Sequence, residues 1–357
     1  MAPRGCIRAL TPEWRWDRFF ASRVLPHPPR SLVKVFSSMR AVRCCNKNIE
    51  VVSVPEPAHD GVRVRIQSAG ICGSDLHLLK MGIPLPNTFG HEFAGLLDDG
   101  SAVAVEPLLP CGTCDLCEAG RYNLCRRGTA MIMGVGCDGG MTDEIWVPDR
   151  CLVALTDDIP VKNACLVEPI AVAVHGIRDG GVANGDRVAI VGGGTIGLCA
   201  AAAAQDVGAE VSVIARHEHQ VEAAQKLGSV ALEKEYPVVI DCAGTSQALE
   251  QAVSLCAPGA TLILLGSYWE GMTVPGMALC LKEVRVVPSS LYSGGGRAKG
   301  GHTHDTSDFE RAAQILARRP EIADALITHR LSLDEAPRAF EIAGDRKAGA
   351  IKVVFEV

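Results

Sequence analysis

Aromatic residues are scarce, with Phe, Trp and Tyr making up 4% of the 357 residues. Platforms that stack bases against rings are therefore not indicated. Positive charge is not in excess either. The 35 Lys and Arg against 41 Asp and Glu leave a formal net charge of −6, opposite to what a phosphate-covered partner attracts. No apolar run reaches the roughly eighteen residues of a membrane span. Nucleic acid and membrane are thus not expected partners. What remains is a globular composition, 48% hydrophobic and 21% charged. The chain is long enough for two domains whose cores need no disulfide staples.

Cysteine, in contrast, is plentiful at 15 residues. Four of them form one local pattern, C-x2-C-x2-C-x7-C, at Cys111, Cys114, Cys117 and Cys125. The rest are scattered, which suits metal binding in a reducing compartment. Such close spacing lets one loop wrap a single tetrahedral ion with four thiolates, a closed shell typical of structural zinc. Ferredoxin-like runs begin the same way. The last gap of seven and the lack of a following proline favour zinc over an iron–sulfur cluster.

The first 38 residues differ from the rest, with seven Arg or Lys against Glu13 and Asp17, and prolines at 26, 28 and 29. An alternative start at Met39, an arginine-rich organellar presequence and a functional arm are the three readings. Cytoplasmic residence is expected, with organellar import if the segment is a presequence. From Met39 onward, runs such as VRVRIQ (62–67) and AVAVEP (102–107) predict an antiparallel, strand-rich domain. Near Gly185 the character changes. DRVAIV (186–191), VSVIA (211–215), PVVID (237–241), TLILLG (261–266) and VRVVP (284–288) read as buried strands. Helical segments at 198–207, 219–227 and 245–255 lie between some of them. That alternation predicts a parallel sheet covered on both faces. A glycine-rich loop with His302 and His304 follows, then a helix at 308–319 and a last strand, IKVVFEV (351–357).

Two constellations carry chemistry. GICGSDLH supplies Cys72, Ser74, Asp75 and His77; FGHEFAG supplies His91 and Glu92; LVEPIAVAVHG supplies Glu168. Singly each is weak, since a lone cysteine is usually a small core residue. Together they offer a thiolate, an imidazole and carboxylates, the ligand types of a catalytic zinc that keeps a place for substrate. Such an ion makes an alcohol acidic enough to give up a hydride. Ser74 can then take the hydroxyl proton and His77 can carry it toward solvent. The second constellation is G-x-G-x-x-G at Gly192, Gly194 and Gly197, with Thr195 and Ile196 between the last two. It follows a predicted strand and opens a predicted helix, the context that marks a dinucleotide site. Nineteen residues after Gly197 stand Arg216 and His217, where an acidic residue would bind the ribose of NAD. A guanidinium there favours a 2′-phosphate, so NADP(H) is expected over NAD(H).

In combination these motifs resemble the zinc-dependent medium-chain alcohol dehydrogenases, over Met39 to Val357. The resemblance implies an α/β fold: a Rossmann doubly wound parallel sheet inserted in a GroES-like, strand-rich catalytic domain. The implied bounds are an extension at 1–38, the catalytic domain at 39–180, the dinucleotide domain at 181–293 and a return segment at 294–357. It further implies Cys72 and His91 on catalytic zinc, Ser74 and His77 in the proton relay, and Cys111, Cys114, Cys117 and Cys125 on structural zinc. GHE followed by VEP looks like the threonine and polyol branch, in which Glu168 or Glu92 completes the catalytic shell. The implied substrate is a small alcohol or carbonyl compound, and the implied assembly a homodimer or homotetramer. The stretch from His91 to Cys111 and the interval from Leu227 to Pro237 are shorter than the family's habit, so one Rossmann crossover is expected to be reduced or missing.

Overall fold

The computed structural model describes residues 38–45, 48–56, 60–82, 85–294 and 306–357. The readings of residues 1–37, His302 and His304 lie outside the described residues. β1 (Ser38–Cys45) and β2 (Asn48–Pro55) pair antiparallel as a separate two-stranded sheet. Next come β3 (Val62–Gly70), α1 (Gly73–Lys80), β4 (Glu92–Leu96), β5 (Ala102–Val105), the one-turn α2 (Asp115–Glu118), β6 (Glu144–Val147), β7 (Leu152–Ala154) and α3 (Val167–Gly180). Strands and helices then alternate: β8 (Arg187–Val191), α4 (Thr195–Asp206), β9 (Glu210–Ile214), α5 (Glu218–Lys226), β10 (Tyr236–Asp241), α6 (Ser246–Leu255), β11 (Cys256–Leu264), α7 (Gly276–Leu281) and β12 (Arg285–Pro288). The chain closes with α8 (Asp308–Arg318), α9 (Glu321–Leu326), β13 (Ile327–Leu331), α10 (Ala336–Gly344) and β14 (Lys352–Glu356).

The strand-rich part forms a seven-stranded sheet in the order β13-β14-β3-β4-β5-β7, with β6 also on β3. β14 lies antiparallel to β3, placing Val354 opposite Gly70. The C-terminal strand therefore runs beside the chain that leads into α1. β4 and β5 are joined by a tight turn through Asp98, Asp99 and Gly100, closed by Leu97 N–H donating to Ser101.

The second sheet is parallel, in the order β12-β11-β10-β8-β9. Val188 at its centre faces Val238 on one side and Val211 on the other, as near-continuous apolar strands demand when both faces are covered. After β8 the chain moves outward to β9; after α5 it crosses back to β10. No strand forms between Lys226 and Tyr236, so β9 is the sheet's edge, in keeping with the short interval there. The crevice where the winding reverses opens at the C-terminal end of β8.

The sequence reading marked no helix at 167–180. α3 escapes amphipathic patterning because it is apolar nearly all round, with Val167, Ile170, Ala171, Ala173 and Ile177 buried. Such a helix belongs inside the molecule. Its polar residues tie it to α8 and to the segment after β12. Buried His175 Nδ1 lies 2.8 Å from Asp308 of α8, and Asp308 also accepts from Ser293 N–H at 2.8 Å.

Candidate active site

α1 begins where β3 ends, and Cys72 is its N-cap residue. Asp75, three positions on, turns back and accepts from the Cys72 N–H at 3.0 Å, a capping-box geometry. That bond spends one carboxylate oxygen. The other, Oδ1, is buried and lies 3.6 Å from His91 Nδ1, and among the described residues neither atom has a hydrogen-bond partner. A carboxylate behind one ring nitrogen presents the opposite nitrogen to a metal. His91 Nε2 lies 3.4 Å from the Ser74 hydroxyl.

The thiol of Cys72, the His91 ring and the Glu92 carboxylate place ligand atoms within 4.8 Å of one another. Burial works against a charged His91 ring, yet the carboxylate of Asp75 and the Cys72 sulfur outweigh it and hold its pKa well above the usual value. A pocket that draws a proton onto a buried imidazole is one that a cation would satisfy.

Glu92 is buried against Lys352 of β14, whose Nζ lies 2.6 and 2.8 Å from its two oxygens. The third Lys352 donor reaches the Ile71 carbonyl at 3.0 Å, so all three ammonium hydrogens are used. Gly70 makes room for this pair, since a Cβ there would overlap Glu92 Oε2. Lys352 received no role from the sequence. Its signal was available: one charge inside an apolar strand must find a partner. Asp75 had its own signal in the three-residue spacing from Cys72.

Glu168 opens α3 and is buried. It falls outside the three-residue group of Cys72, His91 and Glu92. Burial pushes its pKa up to about 7, against the opposing pull of the His91 ring. His77 lies one turn beyond Ser74, its ring stacked on Trp269.

The cysteine lobe gathers the sulfurs of Cys111, Cys114, Cys117 and Cys125 within 4.8 Å. Cys111 Sγ is 3.6 Å from Cys125 Sγ and 3.9 Å from Cys117 Sγ. A tetrahedron with zinc–sulfur bonds near 2.3 Å has sulfur–sulfur edges of about 3.8 Å. The metal-free charges conflict: N–H groups of Thr113 and Cys114 draw the Cys111 thiol down to about 6, while burial pushes Cys117 up to about 12. A cation at the centre removes that conflict.

At the dinucleotide crevice, Gly192 has φ +113°, and a Cβ at Gly197 would overlap the Gly192 carbonyl oxygen. Gly194 caps α4, whose first helical residues are Thr195 and Ile196. The Thr195 hydroxyl is committed to the Ile351 carbonyl at 2.8 Å, so the N–H groups of this turn, not that side chain, are what it offers to an anion. Arg216 is exposed just past β9, with Nη2 3.4 Å from Gln247 Oε1. His217 and His219 stack beside it, ring centroids 5.5 Å apart. His219 was not singled out in the sequence.

The comparisons agree with this geometry. The alcohol dehydrogenase GroES-like domain model matches residues 58–157, and the zinc-binding dehydrogenase model matches 195–317. The chain is 31% identical to galactitol 1-phosphate 5-dehydrogenase of Escherichia coli (strain K12), over 84% of this chain and 94% of that protein. It is 28% identical to D-xylulose reductase A of Aspergillus oryzae, over 79% and 86%. Among solved structures, a zinc-binding dehydrogenase from Sinorhizobium meliloti 1021 bound to NADP matches with TM-score 0.78 at 30% identity, over 90% of this chain and all of that one. The chain belongs to the zinc-dependent medium-chain alcohol dehydrogenases, in their polyol dehydrogenase branch. It is an oxidoreductase of CH–OH donors that uses zinc and a nicotinamide dinucleotide.

Proposed function

We propose that the protein oxidises a secondary hydroxyl of a polyol, sugar alcohol or cyclitol, or reduces the matching ketone, with NADP(H) preferred. The observation that carries this reading is the convergence of Cys72, His91 and Glu92 at the start of α1, the helix that carries Ser74 and His77. Cys72 and His91 would hold the catalytic zinc, with Glu92 or Glu168 as third ligand. The four lobe cysteines would hold a second, structural zinc. A bound catalytic ion supplies Lewis acidity that lowers the pKa of a substrate hydroxyl. Ser74 accepts the hydroxyl proton and passes it to His77, while Asp75 keeps His91 in one orientation. A nicotinamide dinucleotide held at the Gly192–Gly197 turn would supply the hydride acceptor. A panel of galactitol 1-phosphate, xylitol, myo-inositol, threonine and butan-2-ol with both cofactors tests the reading. Turnover confined to polyols with NADP supports it; turnover confined to threonine or butan-2-ol contradicts it.

Arg216 supports the phosphorylated cofactor, since nothing acidic stands at the end of β9. Charge-assisted bonds to a phosphate are worth about 1.5–3 kcal/mol. Arg216→Ser should therefore lower kcat/KM for NADP by roughly 10- to 100-fold, leaving NAD within about threefold. Equal losses with both cofactors would reject the assignment.

A homodimer is supported by the open edge of the parallel sheet. Among the described residues β12 is paired on one side only, and beside it Met277 and Leu281 are 75% and 78% exposed, with Val274 and Val286 also exposed. An apolar patch on an open edge strand is suited to pairing with a second copy. Sedimentation should show a dimer that Leu281→Asp shifts toward monomer; an unchanged wild-type monomer would rule this out.

A further inference from the structure

The segment Tyr268–Trp269–Glu270 follows β11, the parallel sheet's fourth strand in chain order, and links that sheet to α1 of the other. Tyr268 packs on the apolar cluster of the parallel sheet, and its hydroxyl donates to Asp241 at the end of β10. Its neighbour Trp269 packs instead on the apolar cluster of the seven-stranded sheet. There it lies flat on the His77 ring, with centroids 5.3 Å apart and planes 8° from parallel. Glu270 completes the strap by accepting from Lys80 Nζ at 3.1 Å. Three consecutive residues thus make one anchor on the nucleotide side and two on α1. His77 also lines a groove of about 530 Å³ between α1, β2 and α10, together with Asn48, Lys80, Phe340 and Glu341.

We propose that Trp269 is a positioning residue for the proton relay: its indole fixes the His77 ring at this groove and stabilises the imidazolium formed as the proton leaves. The proposal rests on the reading of His77 as a relay group. The proton passes from the substrate hydroxyl to Ser74 Oγ, then to His77, then to water in the groove; the electron pair leaves separately as hydride. A cation against an indole face is stabilised by the ring quadrupole. The charged groups around His77 are Lys80 on its own helix, Glu270 on the strap and Glu341 on α10; Asn48 of β2 is neutral. Because Trp269 belongs to the nucleotide side, the orientation of the relay depends on how that side sits against α1.

Two measurements test this. The difference in emission between wild type and Trp269→Phe isolates Trp269 and needs no substrate. Protonated imidazole quenches a stacked indole, so this difference should fall as the pH is lowered, and that pH dependence should vanish in His77→Asn. In alcohol oxidation with the fastest member of the panel, Trp269→Ala should lower kcat about tenfold with KM moved less than about twofold. Trp269→Phe should restore kcat to within about threefold. In a His77→Asn background, Trp269→Ala should add less than about twofold. A Trp269 emission that does not titrate, or an effect additive with His77→Asn, overturns the proposal while leaving the relay intact. If His77→Asn alone leaves kcat unchanged, the relay reading fails and the proposal with it.

Discussion

On the proposed reading of one catalytic and one structural zinc, Cys72→Ser should remove one ion per chain and lower kcat by about 10⁴-fold, the several kcal/mol that a Lewis acid contributes to alcohol activation. The fold should persist. Cys72 is the N-cap of α1, with extended backbone at φ −90° and ψ 153°, and serine is a better N-cap than cysteine. The bond from its N–H to Asp75 uses the backbone and survives the change. Metal analysis, turnover and circular dichroism on one sample separate the possibilities. Retained activity with one zinc lost would move the chemistry away from Cys72.

Lys352→Met should destabilise the zinc-free protein by about 3–5 kcal/mol, because it strands the Glu92 carboxylate in a site that is 1% exposed. For a domain of this size that is a fall in Tm of roughly 10 °C. Adding Glu92→Leu removes the stranded charge and should recover most of the loss. The pH dependence has a definite sign. Burial lowers the Lys352 pKa, but Glu92 outweighs it and raises the folded value above the ordinary one of 10.5. The lysine's contribution is then fully present below the unfolded pKa and lost as pH rises through the folded one, above about pH 10. The gap between wild type and Lys352→Met should be flat from neutral pH to about pH 9 in thermal melts. A gap below 1 kcal/mol would show that Glu92 finds another partner or takes up a proton.

Local patterns were the most legible. Glycines 192, 194 and 197 read correctly as a strand–turn–helix because the turn's geometry is written in adjacent residues. The cysteine lobe was legible for the same reason. The short interval after Leu227 announced the missing strand, and the parallel sheet indeed ends at β9. Legibility failed where partners are far apart. Lys352 and Glu92 are 260 residues apart and meet only because β14 returns beside β3. Glu168 and Glu92 could not be ranked from spacing; their separation depends on how α3 enters between the sheets. α3 itself was missed because burial on nearly every side erased its periodicity. The stack of His77 on Trp269 joins two sheets, and no local rule foretells it.

Metal-dependent hydride transfer from a CH–OH carbon can be followed by isotope transfer. A polyol from the panel, deuterated at the reacting carbon, is incubated with NADP and enzyme before and after zinc removal by chelation. Deuterium should appear in the reduced cofactor, be absent from it with the zinc-free protein, and return when zinc is restored. Undiminished transfer in protein shown by metal analysis to hold no zinc would contradict this dependence on the metal.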